Sequence, residues 1–270
     1  MTEPMTMSGG REGGRDDRGL AGAVGPWLPG PLLFARFAFP PNRLGLCGPE
    51  SGQSLPERVR TGRPDPELSR IAKQFEGAYP YLELIAAENG LADPLDARVV
   101  EAYWLGNDLL GQVGPRARHD DLTERFRPRT QPREWRWLED KAGGASRVHH
   151  SFHVLEILPR IGLIRGGLPP DLLGVLERCL VRPGRVVAVG AGALEVELPP
   201  LELLDGRLRL GAPRSVHLPA ANGEGFGDVL LPGDEVAIHW DRACGRLSPA
   251  QSARLMAVTQ RNLTVANATI

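Results

Sequence analysis

Apolar side chains recur at helical spacing over roughly the first two thirds of the chain, then alternate with polar ones over the last third. Leu68, Ile71, Ala72 and Phe75 form one stripe, Tyr81, Leu84 and Ile85 a second, and Val99, Val100, Tyr103, Trp104 and Leu105 a third. Residues three and four apart share a face of a helix, so these stripes predict packed helices between Asp65 and Gly111. Asp65-Pro66 and Asp93-Pro94 each read as a capping aspartate followed by a first-turn proline. Pro31–Pro49 predicts a short apolar helix broken at Pro40-Pro41 and ending in a turn around Cys47, and Leu122–Leu138 a helix where Pro128 and Pro132 allow. Leu172–Leu176 reads as a short connecting helix.

The period then falls to two. Arg185–Val189, Leu194–Leu198, Arg207–Leu210, Arg214–Leu218 and Glu235–His239 are strand-length runs between Gly, Pro and Asn turns. Five short strands with no helix between them predict a small closed barrel of OB-like type, and Ser248-Pro249 caps a final helix. The expected class is α+β: a tail over residues 1–30, too poor in large apolar groups to order, a mainly helical domain over 31–176, and an OB-like β-barrel with a C-terminal helix over 177–270.

Charge narrows the functional classes. The formal net charge of −1 gives no field that would gather nucleic acid or an anionic membrane. Within the last third only Phe226 and Trp240 offer large rings for stacking on bases. No run approaches the length of a membrane helix, and the three cysteines, odd in number and widely spaced, fit a reducing, cytoplasmic setting. No phosphate-cradling glycine loop or serine nucleophile elbow is present.

Candidate chemistry lies in two places. Cys179-Leu-Val-Arg-Pro-Gly-Arg-Val-Val187 and Pro232-Gly-Asp-Glu-Val-Ala-Ile-His239 resemble, in this order, the two signatures of the HypC/HupF assembly chaperones of nickel–iron hydrogenases. The resemblance covers roughly Cys179–Leu263. It implies a protein that turns over no substrate and carries iron, as an intermediate, toward a hydrogenase large-subunit precursor or an iron-scaffold maturation protein. By the same resemblance Cys179 is the iron ligand, His239 its helper, and Arg182 and Arg185 face partners. A soft thiolate beside an imidazole suits low-valent iron. The segments FARFAFPPNRLGLCGPE, VVEAYWLGND, HHSFHV and ANATI resemble a prokaryotic family of unknown function.

The alternative is a metal-dependent enzyme with its site in the helical part. His149 and His153 lie one helical turn apart, with His150 between them, and Cys47 in its Gly-Pro turn is a possible further ligand. Cys244, five residues after His239, is a possible companion to Cys179. The H-E-x-x-H order of a metalloprotease is absent.

Overall fold

The computed structural model describes residues 28–55, 65–142, 145–160, 171–219 and 229–268. The tail expected over 1–30 falls almost entirely outside them, as does Phe226. The described chain is α+β: helices first, then antiparallel strands, then a long helix.

The helices are α1 (Gly30–Arg43), α2 (Pro66–Ala72), α3 (Tyr79–Glu88), α4 (Ala97–Trp104), α5 (Pro115–Phe126), α6 (Pro132–Ala142), α7 (His150–Phe152) and α8 (Leu172–Cys179). Sequence caps set several of these boundaries. Asp65 accepts from the Glu67 amide ahead of Pro66, as its spacing predicts. Asp93-Pro94 does not start a helix. Asp93 accepts from the Leu95 amide within a turn, and Asp96 takes the cap of α4 by accepting from the Arg98 amide.

Pro40 and Pro41 do not break α1, which continues to Arg43. They occupy its last turn, where each removes one bond to the carbonyl four residues earlier without ending the helix, and Asn42 fastens the following turn through bonds to the carbonyls of Cys47 and Pro49. Immediately after α7 the helix widens into a π-turn over His153–Ile157.

The strands are β1 (Arg182–Val189), β2 (Ala193–Leu198), β3 (Leu201–Leu204), β4 (Arg207–Leu210), β5 (Arg214–Pro219), β6 (Glu235–His239) and β7 (Arg242–Leu247). Five of them form an antiparallel sheet in the order β5-β2-β1-β6-β7, and β3 pairs with β4 alone. Among the described residues β5 and β7 stay unpaired on their outer sides, so the sheet is open where a closed barrel was expected. Helix α1 packs against β7 at that end of the sheet.

The terminal helix α9 (Pro249–Asn267) starts in a full capping box, Ser248 with Gln251, and lies across β1, β4, β6 and β7. One hydrophobic core runs from α1–α6 into Ala237 of β6, Cys244 and Leu247 of β7 and Leu255 of α9. The helical and strand parts therefore share an interior, and a site can be assembled at their junction.

Candidate metal centre

Five elements converge at that junction: the middle of α1, the end of α4, the start of α7, the end of α8 and the end of β6. Three side chains meet there. Donor atoms of His150, Cys179 and His239 all lie within 4.8 Å of one another. His150 and His239 are buried and Cys179 is half-buried.

Each ligand is placed by a local backbone requirement. Cys179 is the last residue of α8, where the helix leaves carbonyls without helical donors. The Arg178 carbonyl takes the Trp240 amide at 2.8 Å, which ties the β6–β7 turn to this helix end. The Cys179 carbonyl takes His150 Nε2–H at 2.9 Å. His239 ends β6 just before a two-residue turn in which Trp240 and Asp241 both hold positive φ, 48° and 58°. Asparagine and glycine are the usual residues in such a turn, so a tryptophan there is strained and is held by its surroundings. The Arg178 guanidinium covers its ring, 5.3 Å from the centroid.

The orientation of His239 follows from the proline pair in α1. Pro41 has no amide hydrogen, so the Phe37 carbonyl four residues earlier lacks its helical donor. His239 Nδ1 donates to that carbonyl at 2.8 Å. The proton is thereby fixed on Nδ1, which leaves Nε2 as an unprotonated lone pair. That Nε2 is buried and has no hydrogen-bond partner. A carbonyl fixing one nitrogen of an imidazole while the other faces a donor cluster is the usual outer arrangement of a metal-binding histidine.

Electrostatics agree with a neutral, ligand-ready pocket. Burial holds His239 down to about 4, against the opposing pull of the Phe37 carbonyl it bonds and of the Cys179 carbonyl, which stands near it without a hydrogen bond, and holds His150 well below the ordinary histidine range, helped by the neighbouring imidazoles. Burial raises the Cys179 thiol to about 12, and the nearby Cys47 thiol adds to it. The Trp240 indole N–H favours the thiolate, through an approach too loose to count as a hydrogen bond, for its Nε1 has no partner. Trp104 packs on both imidazoles, with centroids 4.5 Å from His150 and 5.5 Å from His239. A cation entering this pocket would displace the thiol proton and offset the cost of burial.

The donor set fits a soft or borderline transition metal. Metal–nitrogen and metal–sulfur bonds of about 2.0–2.1 and 2.3 Å at a tetrahedral angle put the two donors about 3.6 Å apart. His150 Nε2 and Cys179 Sγ stand 3.9 Å apart, so little movement is needed.

Other candidates go elsewhere. His149 is the N-cap of α7 with extended backbone, and both its nitrogens are used: Nδ1 accepts from the Ser151 amide and Nε2 donates to the Trp104 carbonyl. It cannot share a face with His153, because the helix begins one residue after it. His153 meets the Tyr81 hydroxyl at 3.3 Å and borders a cleft of about 820 Å³ together with Cys47, Gly77 and Arg125. Cys47 is half-buried, with its thiol raised to about 11 by burial, and it stands outside the three-residue cluster. Cys244 is buried in the core, its Sγ 3.7 Å from the Arg242 carbonyl.

Arg182, expected to face a partner, is buried within the chain. Its guanidinium is buried and bound to Glu177 and the Pro199 carbonyl, at 2.9 and 2.7 Å, because β1 begins three residues earlier than the alternation shows and draws Arg182 into the sheet. Arg185 is exposed.

Residues 27–270 match a protein family described as a family of unknown function, DUF6390. The chain belongs to that family. No curated protein and no solved structure matches it. Because the match runs through both the helical and the strand parts, the two belong to one family unit, and the residues of the three-ligand cluster all fall inside it. Among the described residues no helix is long and apolar enough to cross a membrane.

Proposed function

We propose that the protein binds one transition-metal ion between His150, Cys179 and His239 and serves as an accessory factor in assembling a metalloenzyme. The observation that carries the metal is His239 Nε2, a buried lone pair without a partner beside a thiol and a second imidazole. The resemblance of Cys179–Val187 and Pro232–His239 to the nickel–iron hydrogenase chaperones supports iron as the cargo and a hydrogenase large-subunit precursor or the iron scaffold as the partner. His150 joins the pair that this resemblance names. Three protein ligands leave a fourth position for an exogenous ligand, as a carrier of an iron intermediate requires.

Metal analysis of protein purified from iron-fed cells tests the first half. Stoichiometric metal is expected in the wild type, and less than a tenth of it in Cys179→Ser and His239→Ala. Metal at the wild-type level in both variants would refute the site. Co-isolation with a hydrogenase precursor tests the second half, and unchanged hydrogenase activity in a deletion strain refutes it.

The cleft favours a second reading, a metal-dependent enzyme. Its wall includes Gly77, whose carbonyl lies 3.3 Å from the Tyr103 hydroxyl, and that hydroxyl lies 3.2 Å from His150 Nδ1. Metal-dependent turnover by the purified protein would select this reading.

A further inference from the structure

We infer that the two histidines enter metal binding from opposite tautomers, His239 preset and His150 switched, and that Tyr103 is the positioning residue that permits the switch. The inference rests on the metal reading above and specifies how the pocket passes from its metal-free to its loaded form.

A carbonyl oxygen can only accept, so the 2.9 Å contact with Cys179 places a proton on His150 Nε2. That nitrogen is also the one 3.9 Å from Cys179 Sγ, hence the one a shared metal must use. His150 therefore has to give up its Nε2 proton before it can ligate. His239 does not, since its proton already sits on Nδ1 against the Phe37 carbonyl.

What lies behind His150 decides whether the exchange is possible. Its Nδ1 meets the Tyr103 hydroxyl at 3.2 Å, and the same hydroxyl is 3.3 Å from the Gly77 carbonyl. A hydroxyl both donates and accepts. In the metal-free protein it donates to the bare Nδ1. In the loaded protein Nδ1 carries the proton and donates to the hydroxyl oxygen, whose own hydrogen turns to Gly77. The ring loses one proton at Nε2 and gains one at Nδ1 by exchange with solvent, so its charge is unchanged. The Cys179 thiol releases one proton to solvent as its sulfur bonds the metal. A backbone carbonyl at Nδ1 would have fixed one tautomer permanently, as Phe37 does for His239. Tyr103 is fully buried and His150 nearly so, so no bulk water stands behind Nδ1 in place of the hydroxyl. Gly77 lines the cleft, so the turned hydroxyl carries the state of the metal pocket to the cleft wall.

Long-range proton–nitrogen spectra of the full chain with nitrogen-15 histidine, metal-free and with one equivalent of Zn²⁺, read the tautomers directly. His150 is expected to move from Nε2–H to Nδ1–H while His239 shows Nδ1–H throughout. A metal-free His150 already in the Nδ1–H form overturns the inference and leaves the metal site standing. Failure of the wild type to bind Zn²⁺ removes the metal reading as well. Tyr103→Phe is expected to weaken Zn²⁺ binding about 10–100-fold, with the metal-free tautomer of His150 retained. Tyr81→Phe, which alters the ring stacked on Tyr103 but bonded to His153, is expected to leave binding within about twofold. Wild-type affinity in Tyr103→Phe, or equal losses in both variants, overturns the role given to Tyr103.

Discussion

Lowering the pH of the metal-free protein from 7 to 5.5 should remove a large share of its stability. Burial holds His149 down to about 3 and His239 to about 4, and holds His150 well below the ordinary range. A folded-state value below the unfolded one means that the unfolded chain takes up protons the folded chain refuses. The stability from these groups is therefore fully present above about pH 6.5 and is lost as pH falls toward the folded values. With the folded rings neutral, each costs about 0.2 kcal/mol at pH 7 and about 1.4 kcal/mol at pH 5.5. The three rings together remove about 4 kcal/mol, against a total of about 5–15 kcal/mol for a typical protein. His153 is held down to about 3 as well, but it borders the cleft, where solvent screens it, and is left out of that figure. Urea unfolding in the presence of a chelator measures the loss. At a slope of about 2–3 kcal/mol per molar, the midpoint should fall by about 1.3–2 M with the slope unchanged. A midpoint that moves by less than about 0.5 M would refute the neutral, buried state of these imidazoles.

Zn²⁺ at 100 times its dissociation constant should stabilise the folded chain by about 2.7 kcal/mol, a rise of about 5–10 °C in Tm by calorimetry, and Cys179→Ser should show none of it. Arg182→Ala should cost about 3 kcal/mol, because Glu177 and the Pro199 carbonyl lose a buried cation, whereas the exposed Arg185→Ala should stay within about 0.5 kcal/mol by denaturant titration. Asp241→Gly should raise stability by about 0.5–1 kcal/mol, since glycine takes its positive φ without strain, and a lower urea midpoint would count against the turn as described.

Much of the fold was legible because it is decided by neighbours along the chain. The alternation of Arg207–Leu210 and Glu235–His239 gave β4 and β6 with their ends, and Ser248-Pro249 gave the start of α9. Strands β3 and β7 escaped notice. LELL is four residues long and its alternation stops after three, and RACGRL follows a turn built from tryptophan and aspartate rather than from the residues that usually mark one. The helix through Pro40 and Pro41 reads as a break because the local cost of a proline is visible in sequence and the tertiary bonds around it are not.

The candidate centre divides the same way. Sequence by itself determined the chemistry on offer: a thiol at Cys179, an imidazole at His239 and a cluster of imidazoles at 149–153. Which imidazole joins the thiol was decided only in three dimensions. The spacing of His149 and His153 pointed to those two, but the start of α7 after His149 and the π-turn at His153 send both away and turn His150 inward. Cys179 meets His150 across 29 residues, and His239 meets the Phe37 carbonyl across 202. Hydrogen bonds of that reach form only when helix ends and strand ends are packed together, so no local periodicity encodes them, and the tertiary fold alone selects the donors and fixes their protons.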